Sequence, residues 1–404
     1  MLRKTVRSTA QFAIKDRIKV ILHRGSHQIG GVCTEIAAGR TRLVFDLGMP
    51  MEGEGNQDKL RIEGVTYGNE RCDGIFLTHY HGDHVGEVPD VLPGIPVYMG
   101  KAAKEILMAQ QEHMRIPGSS QWAQNVISLQ PEQSVDVGEL RITPILSDHS
   151  AFQSFMYLVE GFGRRILLTG DFRLHGLFSD KLLNRLSKIG ALDLLITEGT
   201  NITRDNGPRL DENWAADHSA AILRQYKYVF LLASSSNLDR ISEFSRAVPK
   251  GKYMLTDYYQ KSLLKISDRY SEGPFQSQKV LTYGENLKDK AENRGFGMAV
   301  RANDYFEPIV KHYFTTYPKD SCLIYSMWQG YRDYPEIREF LANCRTIRTV
   351  HVSGHVTGED LHKTVDILNP GKVVINHTSA AVDEKDDMKI MNLIHLEDEE
   401  VLEV

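Results

Sequence analysis

Cysteine is scarce in this 404-residue chain, which has four cysteines and no pair in a Cys-x-x-Cys arrangement. A disulfide framework or a thiolate zinc site is therefore not predicted, and free thiols in a reducing compartment are expected. Long apolar segments are also lacking, because no stretch approaches the roughly 20 apolar residues that a membrane-spanning helix needs. The first segment is basic but has no uninterrupted apolar run, so we expect no secretory signal and predict a cytoplasmic protein without a membrane partner.

The chain also lacks an excess of positive charge. The chain has 48 Lys and Arg residues against 53 Asp and Glu residues, which gives a formal net charge of −5. Proteins that bind duplex nucleic acid without sequence preference normally present a basic surface, so this balance argues against such a protein. A nucleic-acid enzyme stays open, because acidic metal ligands lower the net charge while a groove elsewhere remains basic.

The length exceeds what one hydrophobic core usually supports, and the pattern of apolar residues changes along the chain. Up to about residue 201, short β-rich segments are bounded by Gly, Asp or Pro, and one long helical pattern runs from Lys101 to His113. Beyond that point helical and β-rich segments alternate, which predicts a mostly parallel sheet. A final series of strand, helix and strand is expected at 349–352, 358–368 and 373–376. An acidic segment at 397–403 is interpreted as a solvated surface.

The strongest local signal is a histidine-rich segment, His79-Tyr80-His81-Gly82-Asp83-His84. Three imidazoles and a carboxylate within six residues match the ligands that Zn²⁺ and similar cations prefer. The segment directly follows a predicted buried strand, which favours a metal site over the alternative of a histidine cluster on the surface.

Further polar residues follow other predicted strands, where a sheet can hold a side chain rigidly against a pocket. They are Asp46, Asp171 and Glu198, while His149 precedes a strand instead. Taken singly, each is more often a hydrogen-bonded structural residue. The order of a histidine-rich segment, an isolated His and a strand-terminal Asp nevertheless forms a coherent set, in which Asp171 could bridge two cations about 3.5–4 Å apart.

Asp46, the segment at 79–84, His149 and Asp171 resemble the four ordered motifs of metallo-β-lactamase-fold hydrolases. Further along, Glu198, His355 and His377 resemble the three motifs of the β-CASP branch of that family, which includes ribonuclease J and the cleavage-and-polyadenylation endonuclease. The resemblance implies an α/β protein, an αββα sandwich with an inserted parallel-sheet β-CASP domain. The domain boundaries expected from it are 1–204 for the first part of the sandwich, 205–345 for the insertion and 346–404 for the return.

The resemblance also implies the roles of the site residues. One divalent ion would be held by His79, His81 and His149, a second by Asp83, His84 and His377, with Asp171 shared. Zn²⁺ is the expected metal and Mn²⁺ the alternative, because ligand types alone do not separate them.

Three further residues are predicted to act on the reaction or on its ligands. His355 would protonate the leaving oxygen or stabilise its charge, Glu198 would orient His355, and Asp46 would brace a ligand imidazole. For Glu198 and Asp46 the alternative is a hydrogen bond at a sheet end without catalytic importance.

Substrate phosphates are expected at Ser326, His351 and Ser353, which lie beside turns that contain glycine and follow strands. Backbone N–H groups in such turns can bind anions. The alternative is a packed turn, in which Trp328 belongs to the core rather than serving as a surface for base stacking.

The predicted activity is phosphodiester hydrolysis by a ribonuclease, endonucleolytic or from the 5′ end, with single-stranded RNA as partner. A His at the last motif, here His377, resembles the RNA-processing members, whereas the DNA-processing members tend to carry Val there. The alternatives are a DNA nuclease, a hydrolase of a small phosphodiester or nucleotide, and a non-catalytic subunit. The last is disfavoured because every ligand is present. A homodimer is compatible with these predictions.

Overall fold

Three β-sheets organise the protein in a computed structural model that describes residues 17–53, 55–115, 119–202, 209–271, 276–277, 279–379, 390 and 392–404. The strands described before residue 203 are β1 (Ile18–Arg24), β2 (Cys33–Ala38), β3 (Thr41–Phe45), β4 (Gly74–Phe76), β5 (Val97–Gly100), β6 (Ile127–Leu129), β7 (Val135–Val137), β8 (Leu140–Leu146), β9 (Phe155–Gly161), β10 (Arg164–Leu168) and β11 (Leu194–Glu198). The helices of this part are α1 (Gly82–Val85), α2 (Lys101–Met114), α3 (Ser119–Asn125) and α4 (Ser179–Leu186).

The described residues from 209 onward add six helices and six strands of a third sheet, and then return to the first two sheets. In chain order they are α5 (Glu212–Gln225), β12 (Tyr228–Leu232), α6 (Leu238–Ala247), β13 (Tyr253–Thr256), α7 (Tyr258–Tyr270), β14 (Val280–Thr282), α8 (Glu285–Arg294), β15 (Phe296–Val300), α9 (Phe306–Thr316), β16 (Ser321–Tyr325), α10 (Pro335–Ala342) and β17 (Ile347–Thr349). The returning elements are α11 (Gly358–Leu368), β18 (Val373–Asn376), β19 (Leu393–Ile394) and β20 (Val401–Glu403).

The first two sheets form a sandwich. The first has the order β20-β1-β2-β3-β4-β5-β6 and the second the order β19-β18-β11-β10-β9-β8-β7. Aromatic rings fill the space between them, with Phe45 and Phe76 of the first sheet 5.7 and 5.6 Å from Tyr157 of the second. Helix α2 packs on the outer face of the first sheet, and α4 and α11 pack on that of the second. The predicted αββα architecture is confirmed.

The third sheet is parallel throughout, with the order β14-β13-β15-β12-β16-β17. Its central strands are continuous apolar segments, as in Tyr228–Leu232, because a parallel sheet is covered by helices on both faces. The predicted inserted α/β domain is thereby confirmed as a fold. Its last strand, β17, extends four residues beyond the boundary at 345, so that exact boundary stays a prediction.

One local prediction was wrong. The strand expected at 349–352 is β17 at Ile347–Thr349; Val350 still donates to the Tyr325 carbonyl oxygen at 3.0 Å, and Val350 and Val352 are buried in the core cluster that both domains share. The acidic side chains of the segment at 397–403 are exposed, as expected, and the segment is also attached to the sandwich. It ends in β20, which pairs with β1, and Glu399 accepts a hydrogen bond from His23 at 3.0 Å. In the described residues there is no helix long and apolar enough to cross a membrane.

Candidate metal centre

The predicted metal ligands meet because strands of both sheets end at the same edge of the sandwich. Strands β3 and β4 are parallel, as are β10, β11 and β18. The carboxyl ends of parallel strands lie side by side, so the residues that follow them converge. The residues delivered in this way are Asp46 after β3, His79 after β4, Asp171 after β10, Glu198 at the end of β11 and His377 after β18.

One group of ligand atoms comprises His79, His81, His149 and Asp171. Their donor atoms all lie within 4.8 Å of one another. Asp171 Oδ2 is 3.7 Å from Nε2 of His79 and 3.7 Å from Nε2 of His149. Three imidazoles and one carboxylate at these separations suit a cation that takes nitrogen and oxygen ligands.

A second group comprises Asp83, His84 and His377. His377 Nε2 lies 3.2 Å from Asp83 Oδ2, and His84 Nε2 lies 3.3 Å from Asp171 Oδ2. The other oxygen of Asp171 is 3.9 Å from His377 Nε2. Asp171 therefore lies between both groups, and its role as a shared ligand stays a prediction.

The polar atoms of this site test whether the residues fit a pair of cations. His79 Nε2, His84 Nε2 and Asp171 Oδ1 are buried and have no hydrogen-bond partner among the described residues. A buried polar atom without a partner costs roughly 1–3 kcal/mol, so three of them in one place indicate a ligand. Divalent cations held by these residues would satisfy such atoms.

Burial lowers the pKa of the imidazoles that face the first group. The pKa of His79 and of His149 lies well below the ordinary value, because both rings are buried and other imidazoles surround them. Burial also lowers the pKa of His81, to about 4. These three rings are neutral at physiological pH, which is the form that binds a metal ion.

Each group of ligands is braced by neighbours. Asp46 Oδ2 accepts a hydrogen bond from His84 Nδ1 at 2.8 Å, and Thr78 donates to both oxygens of Asp46 at 2.7 and 2.8 Å. His149 Nδ1 donates to the Gly354 carbonyl oxygen at 2.7 Å. Bonds of this kind fix the ring orientation, so Nε2 faces the site. The bracing role predicted for Asp46 has a direct geometric counterpart.

His377 is braced by a residue that the sequence did not indicate. Thr200 Oγ1 lies 2.6 Å from His377 Nδ1, although the two residues are 177 positions apart. His377 itself has a positive φ of 50°. A non-glycine residue adopts this backbone conformation at an energetic cost. The surrounding structure therefore imposes it on His377, a predicted metal ligand.

His355 and Glu198 form a pair beside the shared Asp171. His355 Nδ1 donates to Glu198 Oε2 at 3.0 Å and lies 3.6 Å from Asp171 Oδ2. Burial lowers the pKa of His355, but Glu198 and Asp171 raise it by more, to about 9. The Glu198 carboxylate is itself fixed, since it also accepts the backbone N–H of Phe172 at 2.9 Å. The predicted orienting contact is present.

The three predicted phosphate-binding residues are two serines and a histidine, and both serine hydroxyls have intramolecular partners. Ser326 Oγ accepts a hydrogen bond from Arg240. Ser353 Oγ accepts from Asn201 Nδ2 at 2.9 Å and from the His355 N–H at 3.2 Å. His351 Nδ1 is buried without a partner in the described part of the chain. Contact of these residues with phosphate stays a prediction.

A network of buried ion pairs joins the sandwich to the inserted domain, and the sequence analysis did not predict it. Arg173 donates to Asp148 at 3.1 Å, to Glu212 at 2.7 Å and to Asp239 at 3.0 Å. Arg240 donates to both oxygens of Glu212, at 2.9 and 3.0 Å. Although burial raises the pKa of Glu212, the two arginines lower it to about 2. Because Asp148 precedes His149 and Arg173 follows Asp171 by two residues, this network couples the domain contact to the ligands.

A sequence comparison agrees with this fold. Residues 43–224, which carry most of the predicted ligands, match the family model described as the beta-lactamase superfamily domain. The chain therefore has a metallo-β-lactamase fold with an inserted parallel α/β domain.

Two relatives found by sequence comparison are named as proteins of the β-CASP branch. The chain is 27% identical to ribonuclease J of Thermus thermophilus over 278 residues, which are 63% of this chain and 46% of that protein. It is 25% identical to the cleavage and polyadenylation specificity factor subunit 3-II of Arabidopsis thaliana over 276 residues, 61% of this chain and 42% of that protein. The matched segments span less than half of either relative. They support the resemblance to the β-CASP branch.

Two other matches support different conclusions, one from sequence and one from structure. A UPF0173 metal-dependent hydrolase of Natranaerobius thermophilus is 26% identical over 178 residues, 43% of this chain and 71% of that protein. The crystal structure of a protein of unknown function from Enterococcus faecalis V583 superposes with a TM-score of 0.75 and 19% identity, covering 96% of this chain and all of the other. The structural match supports the fold alone.

Proposed function

We propose that this protein is a metal-dependent ribonuclease that hydrolyses phosphodiester bonds in single-stranded RNA. The observation that carries the proposal is the pair of ligand groups that meet at Asp171, with His355 Nδ1 3.6 Å from its Oδ2. The relatives named as ribonuclease J and as a polyadenylation factor subunit favour RNA. Two divalent cations are the proposed cofactors, with Zn²⁺ the first choice and Mn²⁺ the second.

The chain's own residues would divide the work. His79, His81 and His149 would hold one ion and Asp83, His84 and His377 the other, with Asp171 shared. When bound, two such cations acidify a water molecule and neutralise charge on phosphoryl oxygens. Asp46 keeps His84 in the orientation that presents Nε2 to the site.

His355 is the proposed proton donor. Its Nδ1 proton is held by Glu198, which leaves Nε2 as the ring nitrogen available to the leaving oxygen. With a pKa of about 9 the ring carries the proton at neutral pH. Its side chain is 24% exposed while Glu198 is buried, so His355 is the more accessible member of the pair.

The site of action and the assembly are parts of the same proposal. We place the protein in the cytoplasm because its cysteines are free, and three of the four are buried. A homodimer remains compatible with this proposal. Ser326, His351 and Ser353 would lie along the path of the substrate phosphates.

A hydrolase of a small phosphodiester is the second candidate, favoured by the match to the UPF0173 metal-dependent hydrolase and by the net charge of −5. A DNA nuclease is a third, which the same site chemistry could serve. The dependence of substrate affinity on salt concentration separates the ribonuclease from the small-phosphodiester hydrolase. Contact with several phosphates makes the affinity fall steeply as the salt concentration rises.

The test uses the metal-loaded protein with 5′-monophosphate RNA, 5′-triphosphate RNA, matched DNA and bis-p-nitrophenyl phosphate. RNA labelled at either end separates internal cleavage from degradation that starts at the 5′ end. RNA cleavage that disappears in His81→Ala and His355→Ala, but persists in the control His312→Ala, supports the proposal. His312 is a suitable control because it lies in the inserted domain, on the surface beside Glu292. Turnover of the small ester alone would contradict it.

A further inference from the structure

One edge of the third sheet faces the metal centre. Tyr80, within the histidine-rich segment, donates a hydrogen bond to the Ser236 carbonyl oxygen at 3.1 Å, just beyond the carboxyl end of β12. A β-bridge between Ala151 and Asn237 lies beside it. Because all strands of this sheet are parallel, every one of them ends at this edge. Ligands of parallel α/β sheets bind outside the carboxyl ends of the strands.

The exposed aromatic residues of the inserted domain lie at this edge. Among the described residues from 209 to 345, the large apolar side chains that stay exposed are Tyr258, Tyr305 and Trp328, at 79%, 46% and 40%. Each follows a strand end, after β13, β15 and β16 respectively. Many other aromatic rings of the domain are buried in its core. The three exposed aromatic side chains therefore all follow the carboxyl ends of strands.

Trp328 is held firmly despite its exposure. Gly330 packs against the indole ring, since a Cβ atom at that glycine would lie 2.2 Å from ring carbons of Trp328. The ring of Tyr331 meets the indole edge-on at 5.5 Å, and the Trp328 carbonyl oxygen accepts a hydrogen bond from Tyr325 at 2.8 Å. A rigid, half-exposed aromatic surface needs little ordering when a planar ligand stacks on it.

Arg332, four positions after Trp328, adds a cation to the same loop. The Arg332 guanidinium lies 4.4 Å from the centre of the Tyr325 ring, and its Nη2 donates to Thr349 Oγ1 at 2.9 Å. Its Nε is buried without a hydrogen-bond partner in the described ranges, and no ion pair with a carboxylate is found for it there. Its positive charge is therefore not neutralised by a carboxylate in this part of the chain.

The pair lies close to the predicted catalytic segment. Thr349, which Arg332 contacts, is two positions before His351 in the segment that leads to His355. Ser326, two positions before Trp328, contacts the same Arg240 that donates to the Val350 carbonyl oxygen at 3.2 Å. A ligand that extends from the metal centre along this edge therefore meets Trp328 and Arg332.

We propose that Trp328 and Arg332 form a nucleotide subsite, in which an unpaired base stacks on the indole ring and the guanidinium meets an adjacent phosphate. Tyr305 and Tyr258 extend the stacking surface. Strands β16, β12, β15 and β13 are neighbours in that order, and with about 4.8 Å between strands the surface spans roughly 15 Å. The inference rests on the proposed function, because it assumes a single-stranded nucleic acid at the metal centre.

The first test uses tryptophan fluorescence, since the chain has three tryptophans. In a His355→Ala protein that also carries Trp122→Phe and Trp214→Phe, Trp328 is the single fluorophore. Titration with a uridylate RNA 10-mer should quench its emission, and an abasic RNA of the same length should not. Binding of the RNA without quenching would overturn the subsite.

The second test measures hydrolysis. Trp328→Ala should raise KM for single-stranded RNA about 5- to 150-fold, the range that the loss of one base–aromatic stack produces. Trp328→Phe should recover most of the loss, and turnover of bis-p-nitrophenyl phosphate should stay unchanged in both. Arg332→Gln should reduce the slope of log affinity against log salt by about one.

Tyr67→Ala provides the matched control. Tyr67 is also 40% exposed, but it precedes β4 and so lies near the amino end of that strand, opposite the metal centre. An equal effect of Trp328→Ala and Tyr67→Ala on KM would overturn the subsite while the proposed ribonuclease stands. A wild-type protein that neither binds nor cleaves RNA would overturn both.

Discussion

Tyr80 should couple the metal centre to the inserted domain. It stands between His79 and His81, and its ring is buried, at 2% exposure. Its hydroxyl accepts the Phe152 N–H at 2.7 Å and donates to the Ser236 carbonyl oxygen at 3.1 Å. One oxygen atom therefore joins the histidine-rich segment, the loop after His149 and the loop after β12.

The substitution Tyr80→Phe removes this oxygen and keeps the ring. The partly buried Phe152 amide loses its partner, which costs about 1–3 kcal/mol, and the bond to Ser236 is lost at about 1 kcal/mol. We expect the free energy of unfolding to fall by roughly 2–4 kcal/mol. Because the lost bonds cross between domains, the contact itself should open more often than the rest of the protein unfolds.

The measurement combines urea unfolding with amide hydrogen exchange at Phe152 and Asn237. Tyr157→Phe is the matched control, because its hydroxyl is also buried but donates only to the Leu77 carbonyl oxygen at 2.7 Å, within the sandwich. It should cost about 1 kcal/mol and leave exchange at the domain contact unchanged. Both variants keep the same ring, so the comparison isolates the hydroxyl groups.

Cleavage kinetics give a second observable. Tyr80→Phe should change kcat for RNA by more than it changes KM, since the hydroxyl supports the ligand segment and does not contact the substrate. The reasoning would be refuted if Tyr80→Phe and Tyr157→Phe exchanged alike at Asn237, or if Tyr80→Phe cost less than the control.

Three other results are expected. Asp46→Asn should weaken metal affinity about 10- to 100-fold in competition with a fluorescent chelator, because the brace on His84 is lost while the left-handed backbone suits Asn. Glu212→Gln should lower the free energy of urea unfolding by about 3–5 kcal/mol, because it removes the charge between two buried arginines; a loss below 1 kcal/mol would contradict this. Burial lowers the pKa of His23, but its hydrogen bond to Glu35 at 2.9 Å helps to raise it above its value of about 6.5 in unfolded chains. Because the pKa is raised on folding, protonated His23 stabilises the folded protein below pH ~6.5, and this stabilisation is lost as the pH rises through the folded pKa. The wild type should therefore lose stability over that pH interval, and His23→Gln should not. Parallel curves of the free energy of unfolding against pH for the two proteins would refute this expectation.

The sequence by itself determined most of the strand and helix pattern and indicated most of the predicted metal ligands. A buried parallel strand is a continuous apolar segment, and the residue after it is delivered to the sheet edge, so both signals are local. That is why Asp46, His79 and Asp171 could be predicted at one edge and why they meet there. The resemblance added His355 and His377, and it paired His355 with Glu198, a contact at 3.0 Å between residues 157 positions apart.

The tertiary structure alone decided what surrounds these ligands. Thr200 beside His377, the Gly354 carbonyl oxygen beside His149 and the Tyr80 hydroxyl between the domains each pair a common residue type with a partner distant in the chain. No local pattern marks such a partner, because a hydrogen bond depends on where two loops meet in space. The same reason explains the strand misplaced at 349–352, since burial between domains and burial in a sheet select the same apolar side chains.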